Sequence, residues 1–184
     1  MGTQLRWSLG TLTVVSIGFM VFGLVLAPDA DSMSGTRWID RVDTVMIVAW
    51  QSSLGAVLAA LARLLGDHGD RGNARLLWVA AGAMFTSAVA GGIEDGFRVA
   101  VMFVPYLLAV LVAWISQLVA GCRRPGGSVL LGCCLAVPPV AAILFNYLGW
   151  VLSTLAAVPL IWRWAHHAEG ARTTSARAVP RSNE

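Results

Sequence analysis

TVMIVAWQSSLGAVLAALARLL, residues 44–65, decides the class of this fold. A helix needs about 20 mostly apolar residues to cross the hydrocarbon core of a bilayer, and this stretch supplies them with a single charge, Arg63, near its end. Working outward, residues 9–27, 74–92 and 99–121 read the same way. A fifth apolar run, 128–164, is too long for one ordinary span and is interrupted at Pro138-Pro139 and at Asn146-Tyr147. Splitting it near Asn146 gives two short helices and six spans in all. The expected fold is therefore all-α: a polytopic bundle of six transmembrane helices over residues 1–168, followed by a polar tail over 169–184. That tail is rich in Arg, Ser and Thr, and without apolar periodicity it is expected to be disordered.

Composition supports this. Of the 184 residues, 57% are hydrophobic and 12% charged, with mean hydropathy +0.71, whereas soluble domains carry about 25% charged residues. All 13 basic residues are Arg; with abundant Ala, Val and Gly, that points to a GC-rich genome of the actinobacterial kind. Their distribution sets the expected orientation, because cytoplasmic loops collect basic residues. With both termini cytoplasmic, Arg37, Arg41 and Arg98 fall outside and the other ten inside. A five-span chain would export the Arg-rich tail. The apolar part of the first span exceeds a typical signal-peptide core of roughly 7–15 residues, so it is expected to be a retained helix in a multi-pass protein of the cell membrane.

Several function classes find no support. The Arg residues are scattered through loops, which argues against a nucleic-acid partner. Cys122, Cys133 and Cys134 lack metal-ligand spacing, and His68, His166 and His167 lie in polar loops, so no metal or cofactor is expected. Serine hydrolase, kinase and deaminase signatures are absent, as are phosphate-binding glycine loops beside Lys.

The stretch AVAGGIEDGFR, residues 88–98, sets Glu94 and Asp95 where the third apolar run ends. Under the expected topology they share an outer layer with Trp50 and Gln51, roughly 10 Å below the start of the second span. Tyr106 of the fourth span joins them, as do Asn146, Tyr147 and Trp150 at the last turn. Asp40 and Asp43 precede the second span with Trp38 beside them. On one reading, Trp and Tyr form the usual interfacial belt and the carboxylates end a helix in water. On the other, these residues form an outward-facing pocket for a hydrophobic small molecule, with an acidic head and an aromatic wall. Adjacent carboxylates in a poorly solvated mouth repel, so one keeps a proton for transfer, while ring faces stabilise a developing cation. Gly91, Gly92 and Gly96 would let the backbone bend and turn the pair inward. The small residues Ser52, Gly55, Ala56, Ala59 and Ala60 would let neighbouring helices, or a partner protein, approach closely.

The small polytopic architecture and Ala49-Trp50-Gln51 resemble the integral membrane terpene cyclases of fungal meroterpenoid and actinobacterial indole-terpenoid pathways. That resemblance implies metal-independent, proton-initiated cyclisation of a prenylated substrate. The family typically has an acid after such a Trp, where this chain has Gln51, and its late acid has no counterpart here beyond Asn146. Glu94 or Asp95 would then be a displaced acid. Six helices with both ends inside are also similar to the substrate-binding components of energy-coupling vitamin transporters. That similarity implies a binding or accessory subunit instead of an enzyme.

Overall fold

The structure, a computed structural model, describes residues 3–26, 37–123, 158, 159, 161–163 and 166. These residues are helical, with no strand among them. Helix α1 spans Thr3–Val21 and runs on through a π-helical turn, Phe22–Leu26. Helix α2 spans Trp38–Asp67 and α3 spans Arg71–Phe97. A 3-10 turn at Ala100–Met102 leads into α4, Phe103–Arg123. All four are long and apolar enough to cross a membrane. The expected fifth and sixth spans, the turn at Asn146 and the tail lie outside the described residues, apart from short helical pieces around Val158 and Ile161.

Each helix packs antiparallel on the one before it, and the α2–α3 contact is the most extensive. Three pairings run along that contact. The Phe85 ring lies 3.2 Å from where a Cβ on Gly55 would stand, Val48 Cγ2 lies 3.2 Å from the same point on Gly92, and Ala74 lies 3.7 Å from that on Gly66. With no hydrophobic force between helices in lipid, such close backbone approach is what holds a bundle together. The core is the stripe Leu5, Leu9, Leu12 and Phe19 of α1, set against Trp50, Leu54, Leu58 and Leu61 of α2 and Leu77 and Met84 of α3. Ile161 enters the same core. The outer faces carry Val14, Val25, Val89 and Val101, all exposed, as lipid contact requires.

The α2–α3 turn is built by local chemistry. Gly69 takes the left-handed conformation, φ 87°, which costs glycine no Cβ clash. The Asp70 N–H then donates to Leu65 O at 2.9 Å and the Gly69 N–H to Gly66 O at 3.1 Å, which is the Schellman ending. Asp70 next caps α3, its carboxylate accepting from the Asn73 backbone N–H at 3.2 Å. Nearby, Arg63 donates to Gln4 Oε1 of α1 at 3.2 Å and lies over the Trp78 ring of α3 at 5.7 Å. One side chain thus ties three helices at the Asp70 end.

At the opposite end, two boundaries differ from those the apolar pattern predicts. Helix α2 starts at Trp38, so Asp40 and Asp43 lie inside it, buried at 0% and 3% exposure. Acids belong in a first turn because they meet unpaired N–H groups there. Asp40 accepts from the Arg37 backbone N–H and from Arg37 Nη2, each at 3.0 Å. Helix α3 runs on to Phe97, so Glu94 and Asp95 form its last turn instead of a loop beyond it. The helix ends at Arg98 in the left-handed conformation, φ 58°, and the Val99 N–H closes back on Glu94 O at 3.2 Å.

Candidate functional site

Gln51 is the centre of the site. It projects from the middle of α2 and is 1% exposed. The Tyr106 hydroxyl stands within hydrogen-bonding range of its amide, but neither the amide nitrogen nor the carbonyl oxygen of Gln51 closes a well-aligned hydrogen bond among the described residues. An unsatisfied polar group in hydrocarbon costs several kcal/mol. Nor is the orphaning forced by helical geometry. Gln117 of α4, equally buried, folds its Nε2 back onto the Ala113 carbonyl one turn earlier, at 3.1 Å. Ser53 and Thr13 satisfy their hydroxyls in the same way, on Ala49 O at 2.7 Å and Leu9 O at 2.8 Å. Gln51 leaves that route unused.

Tyr106 reaches Gln51 because α3 offers no side chain at Gly91. The Tyr106 ring carbons Cδ2 and Cε2 lie 3.2 and 3.3 Å from where a Cβ on Gly91 would stand. The ring also stacks on Phe103, with centroids 6.3 Å apart. One residue along, Gly92 receives Val48 of α2. The two glycines therefore serve close approach from both neighbours inside a regular helix, not the bend predicted for them, and Gly96 has nothing within 4 Å. Half-buried Glu94 and Asp95 stand one turn beyond, close enough to act electrostatically on the Tyr106 hydroxyl. Asp95 holds a further interaction of its own.

So the structure gathers Gln51, Tyr106, Glu94 and Asp95 from three helices. Trp50 is wholly buried, at 0% exposure, which removes it from any interfacial belt. Trp38, Phe97 and Phe103 are the exposed aromatics at this end among the described residues, at 73%, 78% and 41%. Asn146, Tyr147 and Trp150 lie outside the described residues. The predicted depth of Gln51 also changes. From Trp38 it lies about 20 Å along α2, whereas Gly91 lies only about 9 Å from Phe97. Helix α2 overhangs α3 at this end.

What the apolar pattern missed is the buried pair Asp40 and Asp43 and the seat that Gly91 makes for Tyr106. Asp40 had a readable signal, an acid three residues after the helix-preceding Arg37, the spacing of a capping box. The Gly91 seat had none, since it depends on which residue of another helix stands opposite. Among the described residues, no three of His, Cys, Asp and Glu come together as metal ligands. No protein family, curated protein or solved structure matches this chain.

Proposed function

We propose that the chain is a six-helix, multi-pass protein of the cell membrane with both termini cytoplasmic, and that the layer around Gln51 faces outside and binds a hydrophobic small molecule. The observation that carries this reading is the orphaned amide. A polar side chain buried at membrane depth, beside a phenol and with its own-helix acceptor unused, is costly without a ligand and satisfied with one.

The chemistry proposed for the bound molecule is acid-initiated cyclisation of a prenylated, lipid-like substrate. The Glu94 carboxyl gives a proton to an alkene carbon or an epoxide oxygen. The resulting cation forms a carbon–carbon bond as a neighbouring alkene attacks it. Loss of a proton from the final cation, to the Glu94 carboxylate or to water, closes the cycle as a net isomerisation that needs no metal or oxidant. The alternative is a substrate-binding or accessory subunit, and one observation favours it: the residue deepest in the layer is an amide, which binds but cannot donate a proton as an acid does.

Glu94→Gln separates the two. It keeps the shape and removes the transferable proton, so the cyclase reading expects turnover of a prenylated epoxide to fall about 10² to 10⁴-fold with thermal stability unchanged. Turnover unaffected by Glu94→Gln removes Glu94 as the acid, and no turnover by the wild-type protein alongside retained ligand binding assigns the subunit role. For orientation, single cysteines at Ser34 and Asn146 should label from outside and one at Asp70 only after permeabilisation. External labelling at Asp70 overturns the outward-facing site.

A further inference from the structure

We infer that the groove between α1 and α2, at the Asp70 end, seats one anionic phospholipid. Arg63 holds its phosphate, and one acyl chain lies along the outward face of α2. The site is separate from the layer around Gln51 and needs only that the helices span a bilayer.

The phosphate contact follows from what Arg63 leaves unspent. Its side chain is exposed, donates once to Gln4 Oε1 at 3.2 Å and lies over the Trp78 ring at 5.7 Å. A guanidinium carries five N–H donors, so most remain for another acceptor. Asp67 follows four residues later on the same face, yet Arg63 makes no ion pair with it or with any other acid among the described residues. Arg before the acid is the weaker order for such a pair. Arg75, one turn before Trp78 on the same face of α3, is likewise exposed and without an ion pair among the described residues. A phosphate diester accepts from guanidinium forks and offsets their charge, and basic pockets between membrane helices bind anionic head groups in this way. A zwitterionic lipid brings a cation of its own, which competes with the two arginines. Trp7 and Trp78, 73% and 45% exposed, suit the head-group level, where Trp is enriched.

The chain contact follows from the groove. Ser52, Ala56, Ala59 and Arg63 stand three or four residues apart in turn, so they share one face of α2, and the three small ones are only partly buried. Beside them runs a groove of about 430 Å³, whose walls include Gln4, Trp7, Ser8 and Thr11 of α1 with Ser52 and Ala56 of α2. Its surface is mostly apolar, as an acyl chain requires. Gln4 both lines this groove and accepts from Arg63, so groove and cation meet at one side chain. Ser8 lies about 6 Å from Gln4 toward the middle of the helix, the level of a lipid's glycerol esters beneath its phosphate. Its hydroxyl closes no hydrogen bond among the described residues, whereas Thr13 bonds back onto its own helix at Leu9 O. Ester oxygens only accept, and a hydroxyl can donate to them.

The test titrates the full chain, purified in detergent, with phosphatidylglycerol or phosphatidylcholine of the same acyl chains and counts bound lipid by native mass spectrometry. The first phosphatidylglycerol should bind roughly 10-fold more tightly than phosphatidylcholine. Arg63→Gln should erase that preference. Arg6→Gln should keep it, because Arg6 is exposed but two residues from Gln4, off the groove face of α1. Thr11→Trp, at an exposed groove position, fills the groove without entering the core and should abolish the first binding event for both lipids. It leaves Arg63 in place, so it carries the test should Arg63→Gln fail to fold. Equal affinity for the two lipids in the wild type removes the phosphate contact. Equal loss in Arg6→Gln and Arg63→Gln makes the attraction a property of the whole basic end and overturns the site. Binding that ignores Thr11→Trp takes the chain out of this groove. Displacement of the lipid by excess inorganic phosphate at constant ionic strength would show a free-anion site instead, and a protein dimer lost in Thr11→Trp would make the occupant a second copy.

Discussion

Gly91→Ala tests whether the Tyr106 seat is built as described. The new methyl would stand 3.2 and 3.3 Å from two Tyr106 ring carbons, inside the 3.5–4.0 Å at which carbons rest. The ring must retreat by about 0.3 Å or the helices must part, and overpacking of this kind costs about 1–3 kcal/mol. Against that, Ala is the better helix former by up to about 1 kcal/mol. The net expectation is a loss of about 0–2 kcal/mol. Gly82→Ala, in the same helix, supplies the reference, because its methyl meets nothing within 4 Å and only the propensity gain remains. The two variants should therefore differ by about 1–3 kcal/mol, with Gly82→Ala the more stable, as read by denaturant titration of the purified protein in one detergent. A Tyr106→Ala background should erase most of the difference, since the clash partner is gone. Equal effects of the two substitutions in the wild-type background would show that Tyr106 does not rest on Gly91, and the assembly of Gln51, Tyr106 and the carboxylates would lose its basis.

Two further substitutions probe the helix ends. Arg98 holds the left-handed conformation that costs a residue with a Cβ about 1–2 kcal/mol; Arg98→Gly should therefore be more stable than Arg98→Ala by about 1 kcal/mol, both having lost the same side chain. An equal midpoint for the two would mean that α3 does not end in a left-handed residue. Asp70→Ala removes the α3 cap and should cost about 0.5–2 kcal/mol, with Asp70→Ser recovering most of the loss; no recovery by Ser would locate the effect in the Asn73 side chain, whose Nδ2 donates to the Asp70 carboxylate at 2.9 Å.

The four spans were legible because a membrane helix announces itself by length and apolarity alone, and those quantities need no knowledge of neighbours. Their ends were not. A hydropathy pattern stops at the first charges it meets, so Asp40, Asp43, Glu94 and Asp95 looked like loop. Helix chemistry treats them differently: an acid at the third position caps a helix start, and the last turn of α3 is closed by backbone bonds to Glu94 O whatever its side chain. Each difference is about one to two turns, small for the fold yet large for the site, because the depth of Gln51 is counted from the first residue of α2.

The layer itself was half readable for a related reason. Gln51 and Tyr106 could be paired by counting, since both lie in apolar spans and their level follows from helical rise. That Gln51 lacks a partner could not be counted. Gln51 and Gln117 are the same residue in the same kind of helix, and sequence assigns both the same ready solution, the carbonyl one turn back. Only Gln117 takes it. The difference lies in what stands opposite each amide: across from Gln51 the Gly91 gap admits the Tyr106 phenol. What separates two such polar residues within apolar helices is therefore whether each takes the bond its own helix offers, and that choice is set by neighbours the sequence does not order in space.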